Sequence, residues 1–184
     1  MKKLTLTITT ILLLSTSLFA QNKLSIDLKK STLIWTGHAE VGTYAPKGTL
    51  NIKEGSILQN KEFKIMGAVL LIDMKSMNQD NEHLLSHLKS EDFFDVEKYQ
   101  TSTVKIEKIS DGIAYGQLTI KGRTQAFQCP VTIKKENSHF VISGNTIIDR
   151  TKFGIIYNSG NFFTNLGDKA IRNTFDIEFN LVTN

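Results

Sequence analysis

The chain has 184 residues, 40% hydrophobic and 22% charged, with two prolines, one cysteine and a formal net charge of +4. That length suits one domain with a real core, and the balance of apolar and charged residues excludes a disordered chain. The lone Cys129 excludes an internal disulfide framework and any cysteine-rich zinc module.

Residues 1–20 read MKKLTLTITTILLLSTSLFA: a basic start at Lys2 and Lys3, an apolar stretch from Leu4 to Leu14, and small residues from Ser15 to Ala20. This is the pattern of a secretory signal peptide cut after Ala20, leaving one domain over 21–184. The apolar part is shorter than the roughly 20 residues of a membrane anchor, and no cysteine follows the cut to carry a lipid. The expectation is a soluble, exported, periplasmic protein that does not span the membrane. Without Lys2 and Lys3, 20 basic residues face 18 acidic ones. They are too scattered to form the concentrated basic face that nucleic acid requires.

From Leu33 onward, short β-rich runs alternate with Gly, Asn, Asp and Ser. Strands are predicted over 33–39, 43–53, 62–73, 101–109, 112–121, 124–135, 139–149 and 172–182. The last is the clearest: Phe175, Ile177, Phe179 and Leu181 alternate with Thr174, Asp176, Glu178 and Asn180. Ser110-Asp111-Gly112 and Lys121-Gly122-Arg123 suit tight hairpin connections, and Pro130 marks a bulge or an edge. Residues 80–89 predict one short helix, capped by Asp80 or Asn81, with Leu84, Leu85 and Leu88 facing inward. Residues 150–171 show no sustained period and are expected to form a long irregular loop, a lid or rim.

Eight antiparallel strands with short turns close most naturally into a barrel. Its interior holds packed side chains or one small ligand, and alternation alone leaves open which face points inward. A barrel with its apolar face in a bilayer is disfavoured by outward charges and by the lack of an aromatic girdle. Cys129, sharing a face with Phe127 and Val131, reads as an inert buried thiol rather than an intermolecular link.

Catalytic motifs are weak. GTYAPKG at 42–48 reads as a turn rather than a phosphate loop. His83 and His87 share a helix face, as metal ligands do, but Leu84 stands where a zinc hydrolase carries glutamate. A metal-assisted hydrolase using this pair is the enzymatic alternative. Asp92 and Asp95 could imitate a glycosidase pair, although Phe93-Phe94 between them suggests a loop pinned by aromatics. No catalytic residue, metal or cofactor is assigned. Phe153, Phe162 and Phe163 form the candidate lid. Asp149, Arg150, Lys152 and Asp168 are a candidate polar rim that orients a head group, or equally an ion-pair network that locks the loop.

HLKSEDFFDVEKYQTSTVKI at 87–106, GQLTIKGRTQAFQCPVTI at 116–133 and DRTKFGIIYNSG with LGD across 149–168 resemble the YceI-like family of exported bacterial proteins. Trp35-Thr36-Gly37-His38 followed by Gly42-Thr43-Tyr44, and Ile72 to Met77, are similar to the family's opening strand and third-strand ending. Gln100 and Cys129 depart from its pattern. The resemblance implies an all-β, extended eight-stranded antiparallel lipocalin-like barrel around a long apolar tunnel. It also implies a non-catalytic partner role toward an isoprenoid-type or other amphiphilic lipid. The candidate tunnel wall is Trp35, Phe63, Ile65, Val69, Leu71, Val104, Ile106, Leu118, Ile120, Phe175, Ile177 and Phe179. A structural or stress-response module without a ligand is the other alternative, and a homodimer is compatible with either.

Overall fold

The structure is a computed structural model that describes residues 22–62 and 64–184. The predicted signal peptide and Phe63 lie outside the described residues. Within them the chain forms β1 (Asn22–Ser25), β2 (Thr32–Thr36), β3 (Lys47–Gln59), β4 (Ile65–Asn78), α1 (Glu82–Lys89), β5 (Thr101–Ser110), β6 (Ile113–Ile120), β7 (Arg123–Pro130), β8 (Thr132–Glu136), β9 (His139–Asp149) and β10 (Thr174–Val182).

One antiparallel sheet carries them in the order β7-β6-β5-β4-β3-β2-β10-β9-β8, with β1 beside the second half of β3. The strands at the two ends of this order, β7 and β8, are consecutive in the chain and separated only by Val131. The arm pairs with β6 before the bend and with β9 after it. This continuity curls the sheet into a lipocalin-like barrel. The bend falls at Pro130, which has no N–H to offer a ladder. Instead Val131 N–H donates to Gly112 O at 2.8 Å.

Ten strands therefore replace the eight expected. The run predicted over 124–135 is two strands, and β1 is an addition that its own four residues do not announce. The run predicted from 43 starts at Lys47, because Tyr44 to Pro46 belong to a turn in which Ala39 N–H donates to Tyr44 O at 3.0 Å.

The tight turns fall where the sequence placed them. Asp111 and Gly112 have φ of 54° and 74°, and Lys121 and Gly122 have 48° and 71°. These paired positive values match the twist of the flanking strands. Gly48 is needed for a different reason. A Cβ there would lie 1.9 Å from Asn78 O and 2.8 Å from the Trp35 indole. The absent side chain lets Trp35 lie across the strand.

Helix α1 is capped by Asn81, whose side chain accepts from Leu84 N–H at 3.1 Å. Eight residues are too few for a helix that stands alone. Leu88 is buried and Leu84 and Leu85 pack on the core, so tertiary contact holds it. Phe93 and Val96, just beyond, are also buried. These elements and the 150–173 segment cover the barrel end at which β5, β7 and β10 begin.

That segment is irregular, as expected, and local hydrogen bonds hold it. Asp149 Oδ1 accepts from Thr151 N–H and Oγ–H at 2.9 and 2.6 Å, starting a 3-10 turn over Arg150–Phe153. Ser159 is fully buried, donates to Asn173 Oδ1 at 2.6 Å, and its carbonyl receives the N–H groups of both Phe162 and Phe163. A second 3-10 turn spans Gly167–Lys169.

Candidate functional site: an apolar cavity inside the barrel

The inward faces of the strands surround a cavity of about 410 Å³, within the usual range of small-molecule sites. On β4 alone its lining runs from Ile65 to Met77, about 40 Å of strand at ~3.3 Å per residue. Tyr44, Asp168, Lys169 and Arg172 line it and are themselves exposed. The cavity therefore reaches solvent between the turn after β2 and the segment before β10. At this mouth Ala39 bridges to Ile171, and His38 Nε2 lies 2.8 Å from Asp176 Oδ2. The opposite end, near Ile57, Ile109 and Ala114, has no exposed lining residue.

Of the predicted wall, Trp35, Ile65, Val104, Ile106, Leu118 and Ile120 line the cavity, as do Phe175, Ile177 and Phe179 on β10. Val69 and Leu71 do not; Val69 is 42% exposed. The cause is a register shift. Leu58 pairs with Gly67 but Gln59 pairs with Ile65, so the phase of β4 flips after Ile65. From there Ala68, Leu70, Ile72 and Met74 point inward. The signal was present in the sequence: Asp73 and Lys75 share the phase of Val69 and Leu71 and mark it as the outer one. A second shift, between Ile106 and Lys108, likewise moves the lining of β5 from Ile106 to Ile109.

The proposed lid does not assemble over the cavity. Phe153 is buried beside it without lining it, while Phe162 and Phe163 are 55% and 46% exposed. The rim also divides. Arg150 and Asp168 line the cavity, and Asp149 and Lys152 do not. Asp149 is occupied as a cap, and the Lys152 carbonyl accepts from Gln125 Nε2 at 3.1 Å.

Arg150 is no rim residue, since only 4% of it is exposed. Its Nε donates to Arg172 O at 3.0 Å, Nη1 to Ile155 O at 2.8 Å and Nη2 to Ile171 O at 3.0 Å. The guanidinium also lies 5.8 Å from the Phe93 ring centroid. Burial pushes its pKa down, with the neighbouring Asp149 acting in the opposite direction. Composition ranks such a residue as exposed. Its burial follows from three carbonyls that two separate stretches of chain bring together.

Cys129 lines the cavity, is 1% exposed, and donates to Pro130 O at 3.2 Å. Burial pushes its thiol up to about 11, against a hydrogen bond with Thr146 that lowers it. It has the setting of the buried thiol anticipated.

The histidine pair is split between two environments. His83 is exposed, whereas His87 packs edge-on against Phe93 and Tyr157 with centroids 5.1 and 4.5 Å away. Among the described residues, no three or more His, Cys, Asp or Glu side chains cluster to hold a metal ion. No helix among them is long and apolar enough to cross a membrane.

Comparisons with known proteins agree with this architecture. The fold is similar to that of BcnA from Burkholderia cenocepacia, with a TM-score of 0.70 at 21% identity over 86% of this chain and 99% of that one. A polyisoprenoid-binding domain from Saccharophagus degradans gives 0.65 at 14% identity over 87% and 97%. A Campylobacter jejuni YceI protein gives 0.53 at 22% identity over 78% and 86%. In sequence, a UPF0312 protein of Staphylococcus aureus (strain USA300) is 31% identical over 114 residues, 57% of this chain. The match spans 64% of that relative's length. The family model described as the YceI-like domain matches residues 24–183, nearly all of the barrel just described, and the chain belongs to the YceI-like family.

Proposed function

We propose that the protein is a periplasmic binding and carrier protein that encloses one long-chain amphiphilic lipid, of isoprenoid type, in its barrel. The observation that carries this reading is the cavity itself: long, walled by aliphatic and aromatic side chains, and open at one end. The polyisoprenoid-binding domain among the similar folds supports the choice of lipid class.

The energetics favour such a guest. Burying ~15 methylenes contributes about 12 kcal/mol gross at ~0.8 kcal/mol each. Lost translational and rotational freedom opposes this by at least about 4 kcal/mol. A salt bridge at the mouth adds only ~0–1 kcal/mol. The length and dryness of the cavity therefore set affinity.

Native mass spectrometry of the purified protein, with lipid extraction, tests the reading. A co-purifying prenyl lipid at one per chain is the expected result. Trp35 is the single tryptophan and lines the cavity, so its fluorescence should respond to added prenyl alcohol. Protein with no lipid, and with fluorescence indifferent to prenyl alcohols, would overturn the proposal.

A further inference from the structure

The buried part of the cavity wall is apolar with few interruptions, and three of its residues have hydrogen-bond donors to spare. A guanidinium has five N–H groups. Those of Arg150 meet three backbone carbonyls, one per nitrogen, which leaves one N–H on each terminal nitrogen unspent. Among the described residues no carboxylate is ion-paired with it, and Oδ1 of the adjacent Asp149 is occupied by Thr151. Ser102 Oγ and Trp35 Nε1 are buried without any partner. All three residues line the cavity.

They also stand at one end of it. Trp35 is the penultimate residue of β2, Ser102 the second of β5, and Arg150 follows the last residue of β9. Antiparallel pairing brings these termini to the loop-bearing end, where the mouth is. Each of these three unspent groups can donate, and Arg150 carries the one buried formal charge of the lining, since Asp168, Lys169 and Arg172 at the mouth are exposed.

We infer that Arg150, with Ser102 and Trp35, forms a head-group subsite for a long-chain carboxylate whose tail runs toward Ala114. Two spare N–H groups on the two terminal nitrogens suit the two oxygens of a carboxylate. The buried guanidinium, which the half-buried Asp149 carboxylate acts on without being ion-paired to it, is met by one negative charge. A phosphate monoester, near −2 at neutral pH, would leave a buried excess. This rests on the carrier reading above and adds the chemical class of the ligand.

The test uses the whole protein and a set of probes that share one chain: farnesoic acid, its methyl ester, farnesol and farnesyl monophosphate. Binding is followed by Trp35 fluorescence at neutral pH. Farnesoate is expected to bind about tenfold or more tightly than the ester and the alcohol, the ratio given by a charge-assisted hydrogen bond. It should also bind more tightly than the monophosphate. Ser102→Ala should narrow the acid–ester gap, and Arg150→Met should abolish it. The wild-type series decides the matter even if Arg150→Met does not fold. Ester or alcohol binding as tightly as the acid, or monophosphate binding more tightly, overturns the subsite and leaves the carrier intact. Failure of all four probes to bind overturns both.

Discussion

Ala114 offers a way to shorten the cavity from its closed end. It is 3% exposed, lines the wall, and pairs with Cys129 and Ile109, far from the mouth at Tyr44 and Arg172. Ala114→Phe would place a ring in the space that the tip of a long tail occupies. Displacing ~4 methylenes removes about 3 kcal/mol, on the order of 100-fold in Kd. A short chain anchored at the mouth would not reach the ring, and its Kd should change by less than about threefold, under ~0.7 kcal/mol. The assay is Trp35 fluorescence with geraniol and geranylgeraniol, on protein whose near-ultraviolet circular dichroism shows a native fold. An equal loss for both alcohols, or no loss for the longer, would refute the placement of the tail.

Other expectations come from individual side chains. Cys129, held near 11, should resist Ellman's reagent at pH 8 until the protein unfolds. Because its folded pKa lies above the ordinary 9.0, the stability it contributes is complete below pH 9 and declines as pH rises toward 11; urea titrations across that range measure the loss. Phe93→Ala should cost about 3–5 kcal/mol in urea unfolding, since the ring is 5% exposed and supports Arg150, His87 and Tyr157. Replacing the exposed Phe162 and Phe163 together by alanine should change stability by no more than about 0.5 kcal/mol and leave Kd for geranylgeraniol unaltered.

Where local pattern sets the outcome, the sequence was readable. β10 presents Phe175, Ile177 and Phe179 to the cavity because strict alternation in an unbulged strand has one solution. The β5–β6 and β6–β7 hairpin turns follow from Asp111-Gly112 and Lys121-Gly122, whose two central residues take positive φ in each turn. Asn81 caps α1 through its own side chain. What was hidden depends on partners distant in sequence. The phase of β4 turns on a register shift that exists only against β3, so Val69 and Leu71 read as wall but face outward. β1 has four residues and gains its place from pairing with Ser56 to Gln59. Arg150 reads as a rim charge because nothing near it in sequence foretells that Ile171 and Arg172 carbonyls will converge on it.

The cavity also carries a thermodynamic consequence for the empty protein. An apolar void forfeits ~24 cal/mol per Å³, so about 410 Å³ corresponds to roughly 10 kcal/mol of packing not realised. Burying ~15 methylenes, about 12 kcal/mol gross, is of the same order. Both are comparable with the whole stability of a domain, about 5–15 kcal/mol. Occupancy and folding are therefore linked, and a ligand present at 100 times its Kd stabilises by about 2.7 kcal/mol. For a chain of this size that raises Tm by about 5–10 °C. At one fixed concentration of prenyl alcohol, Tm should climb with chain length and level off once the tail reaches Ala114. In Ala114→Phe the plateau should come at a shorter chain, and the ligand-free Tm should equal or exceed that of the wild type, because the ring fills part of the void. A Tm independent of chain length would mean that the guest sits outside the barrel and the void remains empty when it binds.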